Sequence, residues 1–184
     1  MYTKTICTSK TIEIISRQFF EHYTFPVEGQ PRIVNVGDVG YTADCSHIDW
    51  DLAELQDLID VPLDTPRLFI VKPNNVLPAH KDCVGKTKQV REWAINIPVF
   101  GCNRGYNVWY NDQQHFTCEY VYPSTFVLTS PTPPASHKEK LDSVKLFRTD
   151  LFHAVDNTDN INYRVVLSVR SSQDRSWGEV YESI

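Results

Sequence analysis

No apolar run in this chain of 184 residues approaches the roughly 20 residues of a membrane-spanning helix, so no helical span is expected. The opening residues, Met1-Tyr2-Thr3-Lys4, lack the apolar core of a signal peptide. No CxxC pair occurs either. Cys7, Cys45, Cys83, Cys102 and Cys118 are scattered and odd in number, which argues against a disulfide scaffold and for a reduced, cytoplasmic setting. Positive charge is not in excess. A net charge of −5 gives no general attraction to nucleic acid or anionic membrane, and neither is expected as a partner. Internal repeats and low-complexity blocks are missing too. What remains is a sequence of ordinary globular composition, 41% hydrophobic and 22% charged, long enough for one domain with a real core.

Two helices are expected in the first third. Ile12, Ile15, Phe19 and Tyr23 recur at helical spacing from Ser9, a suitable N-cap, to Tyr23. Leu52, Leu55, Leu58 and Ile59 share a face between Asp49 and Ile59. From Arg67 onward the pattern changes to short stretches rich in β-branched and aromatic residues, separated by turn-formers. Strands are expected at Arg67–Lys72, Val90–Val99, Tyr106–Tyr110, His115–Tyr122, Thr125–Thr129, Val144–Arg148, Phe152–Val155 and Asn162–Arg170, with Asn111-Asp112-Gln113-Gln114 as a hairpin turn. The fold class that follows is mainly β: a double-stranded β-helix (jelly roll, cupin-like) with N-terminal helices packed on one sheet. Residues 1–66 form its helical support, 67–170 its core and 171–184 a tail. The proline-rich stretch from Ser130 to Lys140 is the one obvious loop, a candidate lid or rim.

Chemistry concentrates in His80-Lys81-Asp82, in His153 and in Arg164 eleven residues later. Two imidazoles and a carboxylate form the facial triad of non-haem iron, which leaves the opposite positions on the ion open. His80 and Asp82 share a face if their segment is extended. His153 interrupts the apolar run Leu151-Phe152-His153-Ala154-Val155. Arg164 sits in Tyr163-Arg164-Val165-Val166-Leu167, and facing inward it needs an anion. A carboxylate gripped by two parallel hydrogen bonds is the anion a guanidinium fits best. Metal and clamp together read as Fe(II) with 2-oxoglutarate. Taken singly, the first segment also suits a surface turn, His153 a satisfied core histidine, and Arg164 an outward strand position or an internal salt bridge. His22, His47, His115 and His137 are expected to be solvated.

At these residues the chain resembles the Fe(II)/2-oxoglutarate-dependent oxygenase superfamily, whose pattern is HxD…H followed about ten residues later by Arg or Lys. Phe69 to His80, Trp93-Ala94-Ile95-Asn96-Ile97-Pro98-Val99 and Phe152 to Asn157 are most similar to the aspartyl/asparaginyl β-hydroxylase branch. That branch often lacks the metal carboxylate present here as Asp82. It also tends to have Ser in place of Phe69 and basic or imidazole groups in place of Ala94 and Asn96. The resemblance implies that 2-oxoglutarate chelates the iron, that its far carboxylate pairs with Arg164, and that Asn96 donates to its near carboxylate. Dioxygen would take the remaining position, with hydroxylation of a polar substrate, a peptide Asp, Asn or Pro side chain or a small metabolite. Arg91, Arg104 and Lys86 are candidates to rim an acidic substrate, and a solvated face explains them equally well. Trp109, with Trp93, Tyr106 and Tyr110, is either substrate wall or core. The competing readings are a cupin-like metal-binding module without oxygenase activity, which has no need of Arg164, and a zinc-dependent hydrolase or isomerase.

Overall fold

Side chains alternate between two buried faces on the strands that matter most, so β14 is buried along its whole length. The computed structural model describes residues 1–7, 9–84, 89–110, 118–121, 125–128 and 134–184. In chain order the elements are β1 (Thr3–Cys7), α1 (Ser9–His22), β2 (Ile33–Asn35), β3 (Gly40–Asp44), α2 (Ala53–Gln56), β4 (Arg67–Val71), β5 (Asn75–Val84), β6 (Gln89–Val90) and β7 (Trp93–Phe100). They continue with β8 (Tyr106–Trp109), β9 (Cys118–Val121), β10 (Thr125–Leu128), β11 (His137–Lys140), β12 (Val144–Arg148), β13 (His153–Asn157), β14 (Arg164–Val169) and α3 (Trp177–Ser183). One sheet has the order β1-β12-β7-β14-β4-β3-β2 and the other β11-β8-β13-β5-β10-β9, with β6 pairing off β5. All pairings are antiparallel. The chain is thus mainly β, two antiparallel sheets with few helices.

The central strands β7 and β14 of the first sheet are buried on both faces, which explains near-continuous apolar runs such as Trp93 to Val99. Ile95, Ile97 and Val99 of β7 and Val165, Leu167 and Val169 of β14 point outward into a large cluster. Helix α1 supplies Ile15 and Phe19 to that cluster, and Tyr23 just past its end continues the same four-residue stripe. Ser16 Oγ donates to Val99 O at 2.9 Å, fixing the helix on β7. The alternate residues, among them Phe69, Ala94, Asn96, Arg164, Val166 and Ser168, point inward toward the second sheet and line a cavity there.

Several sequence expectations change here. The helix expected over Asp49 to Ile59 is confined to Ala53–Gln56. Gln56 stops it: its amide donates to Ile59 O and Val61 O and accepts from Leu63 N, so the side chain satisfies a loop in place of further helical turns. Residues 1–66 are not a purely helical support, since β1, β2 and β3 widen the first sheet. The tail carries α3, begun by a capping box between Ser176 and Glu179. Within the loop expected at Ser130 to Lys140, His137–Lys140 is strand β11, paired with β8. Residues 130–133, the hairpin turn at 111–114, His115 and Lys86 lie outside the described residues.

Candidate metal centre and its arginines

The largest departure from the expected elements builds the site. Strand β5 was not among the expected strands, and Pro78, which cannot donate to a ladder, lies within it. The structure accommodates the proline in a bulge. Leu77 pairs with Val155 and His80 with His153, so β5 has one more residue than β13 between these points. The bulge brings the Pro78 carbonyl beneath the imidazole, and His80 Nδ1–H donates to Pro78 O at 2.7 Å. His153 repeats the device from the neighbouring strand, its Nδ1–H donating to Leu151 O at 2.9 Å. Each ring is thereby fixed in the tautomer that leaves Nε2 as a free lone pair.

Cross-strand pairing then does the assembly. His80 and His153 are direct partners with ring centroids 4.3 Å apart. Asp82, two residues along β5, falls on the same face, with its Oδ1 3.9 Å from His80 Nε2. One donor atom from each of the three residues lies within 4.8 Å of the others. A first-row ion holds nitrogen and oxygen ligands at about 2.0–2.2 Å, so the three donors must draw in slightly to share one ion. The donor set suits a divalent transition metal.

Electrostatics favour the ligating forms. Burial and the neighbouring His80 depress the His153 pKa to about 4, against partial support from Asp82, so His153 is neutral at pH 7. For Asp82, burial pushes the pKa up. Arg170, both histidines and Arg91 outweigh it, and the net shift is down. Arg170, 5% exposed, donates from Nη2 to Asp82 Oδ2 in a buried ion pair.

The cavity between the sheets has a volume of about 50 Å³. His80, Asp82 and His153 face it from the second sheet, and Asn96, Arg164 and Arg170 from the first. That is room for a few waters. Arg164 is 2% exposed, and its Nη2 donates to Asn107 Oδ1 at 2.9 Å while its Nε has no partner. Asn107 Nδ2 and Asn96 Oδ1 are likewise buried without partners. Burial lowers the Arg164 pKa, and no carboxylate is bonded to it among the described residues. Gly105 makes this position possible, because a Cβ there would stand 2.8 Å from Asn157 Oδ1 and 3.1 Å from Arg164 Cδ.

Of the residues picked from sequence, His80, Asp82, His153, Arg164 and Asn96 line one cavity. Arg91 lines a different one, with Arg67 and Arg170, and burial and those two guanidinium charges lower its pKa to about 10 against support from Asp82. Arg104 is exposed in the β7–β8 turn and lines neither cavity. Trp109 is fully buried core, packed on Phe147 with ring centroids 5.2 Å apart and bonded to Arg148 O. Asn107, Thr149 and Arg67 escaped the sequence reading. The signal for Asn107 was its position between Tyr106 and Val108 on an alternating strand.

No family model and no curated protein matches the chain. Solved structures do. HygX from Streptomyces hygroscopicus, with nickel, 2-oxoglutarate and hygromycin B bound, is similar at 13% identity and a TM-score of 0.49, over 91% of this chain and 80% of that one. The E. coli protein ycfD is similar at 13% identity and 0.46, over 74% of this chain and 35% of that one. Oxalate decarboxylase from Bacillus subtilis, in its structure at pH 4.6, is similar at 13% identity and 0.37, over 77% of this chain and 28% of that one. This chain therefore spans about a third of the length of the last two. At such identities and scores, none of these likenesses says what the chain binds or does.

Proposed function

We propose that the chain is a non-haem Fe(II)- and 2-oxoglutarate-dependent dioxygenase that hydroxylates a polar substrate, built as a cupin-like double-stranded β-helix. The observation that carries this reading is one cavity holding three convergent metal donors and, across from them, a buried guanidinium bonded to no carboxylate. His80, Asp82 and His153 would hold the iron. Arg164 would bind the far carboxylate of 2-oxoglutarate through the donors it leaves unused, and Asn96 lies where an amide can meet the near one. When bound, iron with 2-oxoglutarate supplies oxidation of a C–H bond by dioxygen, coupled to loss of CO₂ and formation of succinate. The protein's part is to keep His153 neutral, to aim both imidazoles through their Nδ1–H bonds and to keep Asp82 ionised. The double-stranded β-helix is supported by the strand orders β12-β7-β14-β4 and β8-β13-β5-β10, between which the chain passes repeatedly.

The rhythm of Phe69 to His80 favours a peptide Asp, Asn or Pro side chain over a free metabolite. The deciding experiment incubates anaerobically iron-loaded protein with 2-oxoglutarate and air, then with peptide and metabolite pools separately. Substrate-stimulated succinate release with a gain of one oxygen by mass spectrometry supports the reading, and neither product from any pool rejects it. The small cavity volume and the Arg164–Asn107 bond favour a second reading, a cupin-like metal-binding module that does not take 2-oxoglutarate. Saturable 2-oxoglutarate binding to the metal-loaded protein decides against that one.

A further inference from the structure

Three guanidinium groups meet at one end of the first sheet. Arg67 opens β4, Arg170 follows β14 directly, and Arg91 lies between β6 and β7. Together with Thr65 and, at the rim, Asp44 and Asp64, they line a cavity of about 260 Å³. Backbone hydrogen bonds hold its walls in place. Asp64 N and Thr65 N both donate to Arg170 O, closing the segment before β4 onto the end of β14. Arg91 N donates to Asp82 O at 3.0 Å, which holds Arg91 beside the metal triad.

The polar groups in this cavity are only partly used. Arg170 commits an Nη to Asp82, while its Nε is buried without a partner. Thr65 Oγ1 is also buried without a partner. The Arg67 and Arg91 side chains, both half-buried, make no hydrogen bond or ion pair among the described residues. The two rim carboxylates are engaged elsewhere: Asp44 accepts from Ser46 N, and Asp64 accepts from Ser172 N and Oγ. Like charges brought together out of water repel unless an anion joins them. An oxyanion is the partner that free guanidinium donors lining one cavity suit best, since carboxylate and phosphate match the planar fork of arginine.

We propose that this cavity is an oxyanion subsite, in which Arg67, Arg91 and Arg170 hold a carboxylate or phosphate of the substrate beside the metal triad. Its place in catalysis rests on the function proposed above; its affinity for an oxyanion does not. Arg170 lines both this cavity and the metal cavity, so an anion seated here leaves the substrate's next atoms near the iron ligands. A substrate without an anionic group would leave Arg67 and Arg91 with no direct hydrogen-bonded partner, since Asp82 is paired with Arg170.

The test titrates inorganic phosphate, and separately malonate, into metal-free protein by calorimetry. Saturable one-to-one binding of either is expected, and comparing the two identifies which oxyanion the site prefers. Arg67→Gln and Arg91→Gln should each weaken it about tenfold or more, with circular dichroism unchanged, while Arg104→Gln in the exposed turn leaves it intact. Binding that fails to saturate for both anions overturns the proposal. So does binding that Arg164→Gln abolishes and the Arg67→Gln/Arg91→Gln pair does not touch. Because no metal is present, loss of Fe(II) binding in a parallel titration would count against the oxygenase reading alone.

Discussion

Arg170 and Asp82, 88 residues apart in the chain, form a buried ion pair that ties the end of β14 to the metal triad. The same carboxylate that would ligate the ion already carries a guanidinium partner. Replacing Arg170 with Met leaves Asp82 buried without its ion-pair partner in the metal-free protein, at a cost of about 3–5 kcal/mol. A divalent ion would then supply the missing positive charge. Urea unfolding with and without Ni(II) should show the variant recovering more stability from metal than the wild type does. Equal gains in both proteins would mean that metal does not reach Asp82.

His80→Ala and His153→Ala should each abolish stoichiometric Fe(II) binding in an anaerobic titration while the fold, followed by circular dichroism, persists. Full affinity in His153→Ala would remove the triad, since His153 and His80 are cross-strand partners and neither has a substitute among the described residues.

Arg164→Ala should weaken 2-oxoglutarate binding to the Ni(II)-loaded protein at least tenfold, because a charge-assisted bond to a buried carboxylate is worth about 1.5–3 kcal/mol. Arg164→Lys should recover only part, as one ammonium cannot reproduce the fork. Gly105→Ala offers a subtler check: its methyl would press on Arg164 Cδ and Asn157 Oδ1, so it should lower the same affinity without touching any charge.

The metal-free protein should lose stability in two stages as pH falls. His153 has a folded pKa of about 4 against an ordinary 6.5, so the unfolded chain binds a proton first. Its contribution is fully present above pH 6.5 and declines from there toward pH 4. Asp82, also shifted down, adds a further loss once pH falls below the ordinary carboxylate value. Unfolding free energies measured from about pH 7.5 to about pH 3.5 test the slope. His153→Asn should flatten the upper stage, and an unchanged profile in that variant would place the effect elsewhere.

Much of the site was legible because local pattern suffices for it. The HxD spacing, the histidine intruding in an apolar run, and the even-numbered face Arg164, Val166, Ser168 and Arg170 of β14 and its end are all statements about alternation on a strand. Helix α1 was legible for the same reason, its stripe from Ile12 to Tyr23 being strictly periodic. The helix over Asp49 to Ile59 misled, because the leucine spacing there says nothing about the Gln56 amide that ends it after one turn.

By itself the sequence determined which residues could ligate and that Arg164, if it faced inward, would need an anion. Only the tertiary structure decided where the charges meet. Pro78 argues against a strand until β13 supplies the partner whose register admits a bulge. Arg91 and Arg104 look equivalent in sequence, yet one lines a cavity with Arg67 and Arg170 and the other faces solvent. The physical reason is range. Alternation is fixed by neighbouring residues on one strand, whereas an ion pair such as Arg170–Asp82 depends on which strand ends two sheets bring together.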